Sequence, residues 1–166
     1  MIKPYILIFT VIMFTLFSCG NTKEEKKAGF SYENTSTTTK KPTAETKVLA
    51  SKKVDLVSKG IGPISKVELS NQIDHDLAKK GEALFKKMCT ACHRPDKRFI
   101  GPEAKGLVNI RTPEWIMNMI LNPEEMIKKE PLAKELLAEF NYAPMIKQNL
   151  SHEEARAILE YYRTLK

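Results

Sequence analysis

The chain has 166 residues, 42% of them apolar and 28% charged, with a formal net charge of +7. This is the composition of one packed domain with appendages. The charge is uneven: nine lysines face five acids between Gly20 and Gly60, whereas sixteen Lys or Arg face fourteen acids from Asn71 onward. The basic excess therefore belongs largely to an N-terminal segment, and it does not mark the domain as a nucleic-acid binder.

Residues 1–18 have the pattern of a secretion signal. Lys3 is followed by a nearly unbroken apolar run from Tyr5 to Phe17, too short for a comfortable membrane span. The run ends in Leu16-Phe17-Ser18-Cys19-Gly20, which resembles a bacterial lipobox whose cysteine, Cys19, becomes the lipidated N-terminus. A plain signal peptide and an uncleaved anchor are the alternatives, because Phe17 is bulkier than a lipobox usually carries. Residues 19–47 are polar and Lys/Glu/Thr-rich, with little to bury, and read as a flexible tether. Residues 48–73 contain the turn-forming Gly60-Ile61-Gly62-Pro63 and an alternating Val67/Leu69, and read as an extended strap lying on the domain.

The domain spans residues 74–166 and is expected to be all-α. From Asp74 to Met88 the residues Leu77, Gly81, Leu84, Phe85 and Met88 share one helical face, with Asp74 or Asp76 as cap. Gly81 is unfavourable inside a helix and calls for a close crossing. Thr112-Pro113 and Asn122-Pro123 each place a cap residue before proline at the first helical position, and Glu125 is spaced for a capping box. Pro131 opens a helix to Phe140 with Leu132, Leu136 and Leu137 inward. Asn141 to Leu150 is a loop holding Met145. Ser151 and Glu154 form a capping box before a last amphipathic helix through Ala155, Ile158, Leu159 and Tyr162.

The first helix runs into Cys89-Thr90-Ala91-Cys92-His93. C-x-x-C-H is the pattern for covalent haem c: each thiol adds across one vinyl group of the porphyrin, and His93 ligates the iron. A redox-active C-x-x-C pair and half of a zinc site are the competing readings, the latter needing further ligands. Outside the motif there is one cysteine, Cys19, and two histidines, His75 and His152, both near helix starts and read as surface residues. One lipid-bearing and two haem-bearing thiols account for every cysteine.

Residues 74–166 resemble a class I cytochrome c domain. The resemblance rests on Gly81-x-x-Leu84-Phe85-x-x-x-Cys89-x-x-Cys92-His93, then Gly101-Pro102, Trp115, Pro144-Met145 and the C-terminal amphipathic helix. It implies a small helical domain wrapped around one haem c, with the first and last helices in close contact at Gly81 and Phe85 against Tyr161 or Tyr162. It also implies that the Pro102 carbonyl holds His93, and makes Arg111 and Trp115 candidates for the haem propionates, with core packing the competing role for Trp115. Four methionines follow the motif. Met117 and Met119 lie mid-helix and Met126 on a short helix, whereas Met145 lies in a loop free to turn inward, so Met145 is the expected sixth ligand, with Met126, His152 or an open site as the alternatives, although many family members have Met-Pro where this chain has Pro-Met. Lys86, Lys87, Lys97 and Lys105 can ring an exposed haem edge or form a solvated face.

The expected function is one-electron transfer rather than enzyme catalysis. The expected partners are a respiratory donor and a terminal reductase or oxidase, with the protein exported and held by its lipid on a membrane, on the periplasmic side. The alternative is a haem-based sensor or peroxidase-like domain with an open sixth position.

Overall fold

The computed structural model describes residues 48–166; the signal segment, Cys19 and the tether lie outside the described residues. Five α-helices follow one another: α1 His75–Met88, α2 Pro113–Leu121, α3 Pro123–Lys129, α4 Pro131–Glu139 and α5 His152–Thr164. Single 3-10 turns lie at Ala50–Lys52 and Leu107–Asn109, and among the described residues there is no strand, only an isolated parallel bridge between Asp55 and Arg111. The all-α reading is correct.

Local chemistry sets most helix starts. The Asp74 carboxylate accepts from the amides of Asp76 and Leu77, and Thr112 Oγ1 accepts from Trp115 N with Pro113 at the first turn. Ser151 and Glu154 form the reciprocal capping box of α5. The box expected at Asn122 and Glu125 is absent. Asn122 instead donates to Ile61 O, and Glu125 pairs with Lys128 and Lys129. A tertiary contact has drawn the cap side chain away. At α4, Glu130 caps by accepting from Ala133 N.

The most extensive helix contact is between α1 and α5. Gly81 makes it possible: a Cβ there would lie 1.9 Å from Ala157 O and 2.4 Å from Ala157 C. Beside this crossing, Phe85 packs against Tyr161 and Tyr162 with ring centroids 5.5 and 5.8 Å apart. Glu160, fully buried, accepts from Asp74 N at 2.9 Å and from Arg163 and Arg156, so the start of α1 is tied to the middle of α5.

Residues 59–67 run along the back of α2, which carries a polar stripe toward them. Asn118 Nδ2 donates to Lys59 O and Ile64 O and its Oδ1 accepts from Ile64 N, each at 2.9 Å. Glu114 accepts from Val67 N, and Met126 Sδ from Ile61 N. Glu114, Asn118 and Asn122 are spaced by four, one helical face. The opposite face of α2 presents Trp115, Met119 and Ile120 to a cavity.

Candidate cofactor site

The end of α1 delivers the motif. Cys89 N donates to Phe85 O, closing the helix, and the amides of Cys92 and His93 both donate to Cys89 O, at 3.1 and 2.9 Å. The two thiols thus sit on one tight turn. The following loop folds back: Gly101 N donates to Cys92 O at 2.9 Å. His93 Nδ1 lies 2.9 Å from Pro102 O. A carbonyl only accepts, so Nδ1 carries the proton and Nε2 keeps its lone pair for a metal. Gly101 is needed beside it, since a Cβ there would come within 2.5 Å of His93 Cε1.

These residues form one wall of a cavity of about 570 Å³. Cys89, Cys92, His93, Pro102, Arg111, Trp115 and Met145 all line it. Its walls are otherwise largely apolar, with Met88, Leu107, Ile116, Ile120, Leu136 and Phe140 among them. Met145 reaches it from the Asn141–Leu150 loop, and Met119 from α2. Met117 and Met126 are buried in the core outside the lining, and the Met126 sulfur is already engaged by Ile61 N. His75 and His152 are exposed and away from it. Of the four lysines considered at the rim, Lys105 lines the cavity, whereas Lys86 pairs with Glu82 at 2.8 Å.

Two buried donors in the described residues lack a partner: Arg111 Nε and Trp115 Nε1. Arg111 is 1% exposed, with its guanidinium carbon 5.3 Å from the Trp115 ring centroid. Burial lowers its pKa, against which the charges of Asp55 and Glu130 act. Unpaired buried N–H groups are costly and rare, and both belong to residues that line this apolar cavity, into which a haem would bring two carboxylates. The residues present fit that group.

The competing chemistries fit less well. Burial pushes the Cys89 thiol up to about 11, with Cys92 adding to it. A thiol–disulfide exchange site needs the opposite shift. No cluster of three or more His, Cys, Asp or Glu suited to a metal ion exists among the described residues, so the zinc reading lacks ligands.

The sequence did not single out Leu49, Ser51 and Lys52, which line the cavity, nor the close approach of Gly101 to His93. The signal for the strap's importance was the run of polar residues at four-residue spacing on α2, a helix otherwise apolar.

A helical domain that ends its first helix in C-x-x-C-H, and braces that histidine against a proline carbonyl above an apolar cavity, is a c-type cytochrome domain. The model of the cytochrome c family matches residues 78–166, and the chain belongs to that family. It is a haem-based electron carrier, with haem c bound covalently through Cys89 and Cys92. Among solved structures it is similar to cytochrome c from Rhodothermus marinus, at 46% identity over 70% of this chain and 93% of that one, with a TM-score of 0.61. It is also similar to an engineered form of that cytochrome, Rma TDE, at 47% identity over 70% and 94% of the two chains and a TM-score of 0.60. The same engineered protein bound to a carbene intermediate (1-ethoxy-1-oxopropan-2-ylidene) matches at 47% identity over 70% and 94%, with a TM-score of 0.58. No curated protein matches the chain.

Proposed function

We propose that the protein is a mono-haem shuttle of a membrane-associated respiratory chain, with His93 and Met145 as axial ligands. The observation that carries this is the presence of both side chains in the lining of one cavity, with His93 already held in the ligating tautomer by Pro102. Haem c, when bound, accepts and returns one electron. Pro102 fixes the imidazole; Met145 would supply a thioether, which favours the reduced state relative to a second histidine. Arg111 and Trp115, whose Nε–H and Nε1–H lack a protein partner, would hold the propionates. The apolar walls keep water away.

The N-terminal reading completes the proposal: residues 1–18 direct export, Cys19 carries lipid, residues 19–47 form the tether, residues 48–73 the strap and residues 74–166 the cytochrome domain. The protein would then work on the periplasmic side of a bacterial membrane, between a respiratory donor and a terminal reductase or oxidase. A tether raises the effective concentration of the domain near such partners.

The reduced protein should show the spectrum of methionine-ligated low-spin iron, unchanged by carbon monoxide, and Met145→Ala should abolish the weak methionine–iron absorption band. Rapid carbon monoxide binding by the unaltered protein would overturn the assignment. A sensor or peroxidase-like reading has one observation in its favour. The Met145 loop is bounded by the left-handed residues Asn141, Tyr142 and Asn149, and no main-chain hydrogen bond links Pro144 to Leu150 with other backbone. Rapid carbon monoxide binding is the outcome that reading requires.

A further inference from the structure

We propose that residues 49–55 of the strap are part of the cofactor site: they hold both Nη groups of Arg111, a residue of the cavity lining, and they close the cavity on that side. This rests on the haem-carrier reading above and deepens it.

An arginine facing a carboxylate ordinarily presents its fork, with two parallel N–H groups. Here the fork is taken. Arg111 Nη2 donates to Ala50 O at 2.8 Å, and Nη1 donates to Lys53 O and to Ile110 O. The carbonyls that aim the guanidinium lie about sixty residues upstream, outside the stretch that defines the family. Their own position is fixed by the bridge in which Asp55 N donates to Ile110 O at 2.9 Å, and by Ala50, buried in the core.

The same segment joins the two sides of the cavity. Leu49, Ser51 and Lys52 line it. Lys52 pairs with Glu103 at 2.7 Å, next to the proline that holds His93. Ser51 donates from N and Oγ to the Glu139 carboxylate, at 2.8 and 2.6 Å. Glu139 ends α4, just before the loop carrying Met145, and also accepts from Arg98, itself a lining residue. The segment thus braces the histidine side against the methionine side.

The remainder of the strap differs. Residues 59–67 are held by Asn118, Asn122, Glu114 and Met126, and none of these residues lines the cavity. Two parts of one strap are therefore separable: 49–55 positions a site group, and 59–67 contributes stability alone. Ala50, Ser51 and Lys53 are positioning residues, acting through Arg111 and through exclusion of water. Both effects favour the less positively charged, reduced centre, so loosening this segment lowers the reduction potential.

The test uses full-length, haem-loaded protein and substitutions that leave charge unchanged. Ala50→Leu overfills the core position and pushes the carbonyls off Arg111. It should lower the midpoint potential by about 59 mV, a tenfold change in a one-electron equilibrium. Ser51→Ala removes one bond to Glu139 and should lower the potential less, in the same direction; it decides the question if Ala50→Leu loads haem poorly. Asn118→Ala releases residues 59–64 and should lower the thermal midpoint while leaving the potential in place. Unchanged potential in the Ala50 and Ser51 variants, or an equal fall in the Asn118 variant, overturns the proposal. Failure of the underlying reading is separately visible, as no haem stain on a denaturing gel of the unaltered protein.

Discussion

Replacing Gly81 by alanine tests the contact on which the fold depends. The added Cβ would lie 1.9 Å from Ala157 O, 2.4 Å from Ala157 C and 2.9 Å from Ile158 N, where 3.0 Å is the floor for real contacts. All three atoms are backbone of α5, so no side-chain rotation relieves the clash. The helices must part by about an ångström, and Phe85 then withdraws from Tyr161 and Tyr162. Overpacking of this kind costs roughly 3 kcal/mol, and alanine returns about 1 kcal/mol of helix propensity over glycine. The net loss is about 2 kcal/mol, a fall of roughly 6–12 °C in thermal midpoint for a domain of this size. Thermal unfolding of the haem-loaded protein, followed by the haem absorption and by helical circular dichroism, measures it. A variant as stable as the parent, or more so, would show that α1 and α5 do not cross at this distance.

Three further outcomes follow from named contacts. Trp115→Phe removes the Nε1–H donor while keeping an aromatic ring on α2, and the reduction potential should fall; a potential unchanged by this substitution would take Trp115 out of the propionate site. Ser151→Ala breaks the capping box of α5 and should cost about 1 kcal/mol in guanidinium unfolding, whereas Ser151→Asp should restore most of it. Glu160 provides a pH signature. Burial works against its charge, but Arg163, the Asp74 amide and Arg156 outweigh it and hold the carboxyl below the usual glutamate range. Its contribution is therefore complete above the unfolded glutamate pKa, near 4.3, and is lost as pH falls through the lower folded value. Glu160→Gln should cost about 3 kcal/mol at neutral pH and flatten the acid side of the stability profile, which chemical unfolding between neutral and strongly acid pH would reveal.

Much of the helical framework was legible because its determinants are local. Asp74, Thr112 and Ser151 cap helices through amides two or three residues away, and Pro113, Pro123 and Pro131 open helices by their own ring geometry. Gly81 was legible for a different reason: a residue that is costly in a helix implies a neighbour too close for any other. The Asn122–Glu125 box failed because its side chains found longer-range partners, Ile61 O and two lysines. Periodicity placed Met117, Met119 and Met126 on helices and left Met145 in a loop free to turn inward; the fold brings Met145 to the cavity, adds Met119 from α2, and leaves Met117 and Met126 in the core.

The sequence by itself determined the chemistry of attachment. Two thiols and a histidine within five residues are brought together by a single turn, whatever surrounds them. It also determined the helix starts, whose caps act over three residues. The tertiary structure alone decided how the edge of the cavity is closed and how Arg111 is held there. Arg111 is aimed by carbonyls of Ala50 and Lys53, and every residue has a carbonyl, so nothing in those side chains announces the role. Contacts made by backbone atoms across some sixty residues leave no local pattern, and appear when the helices pack and the strap is laid across them.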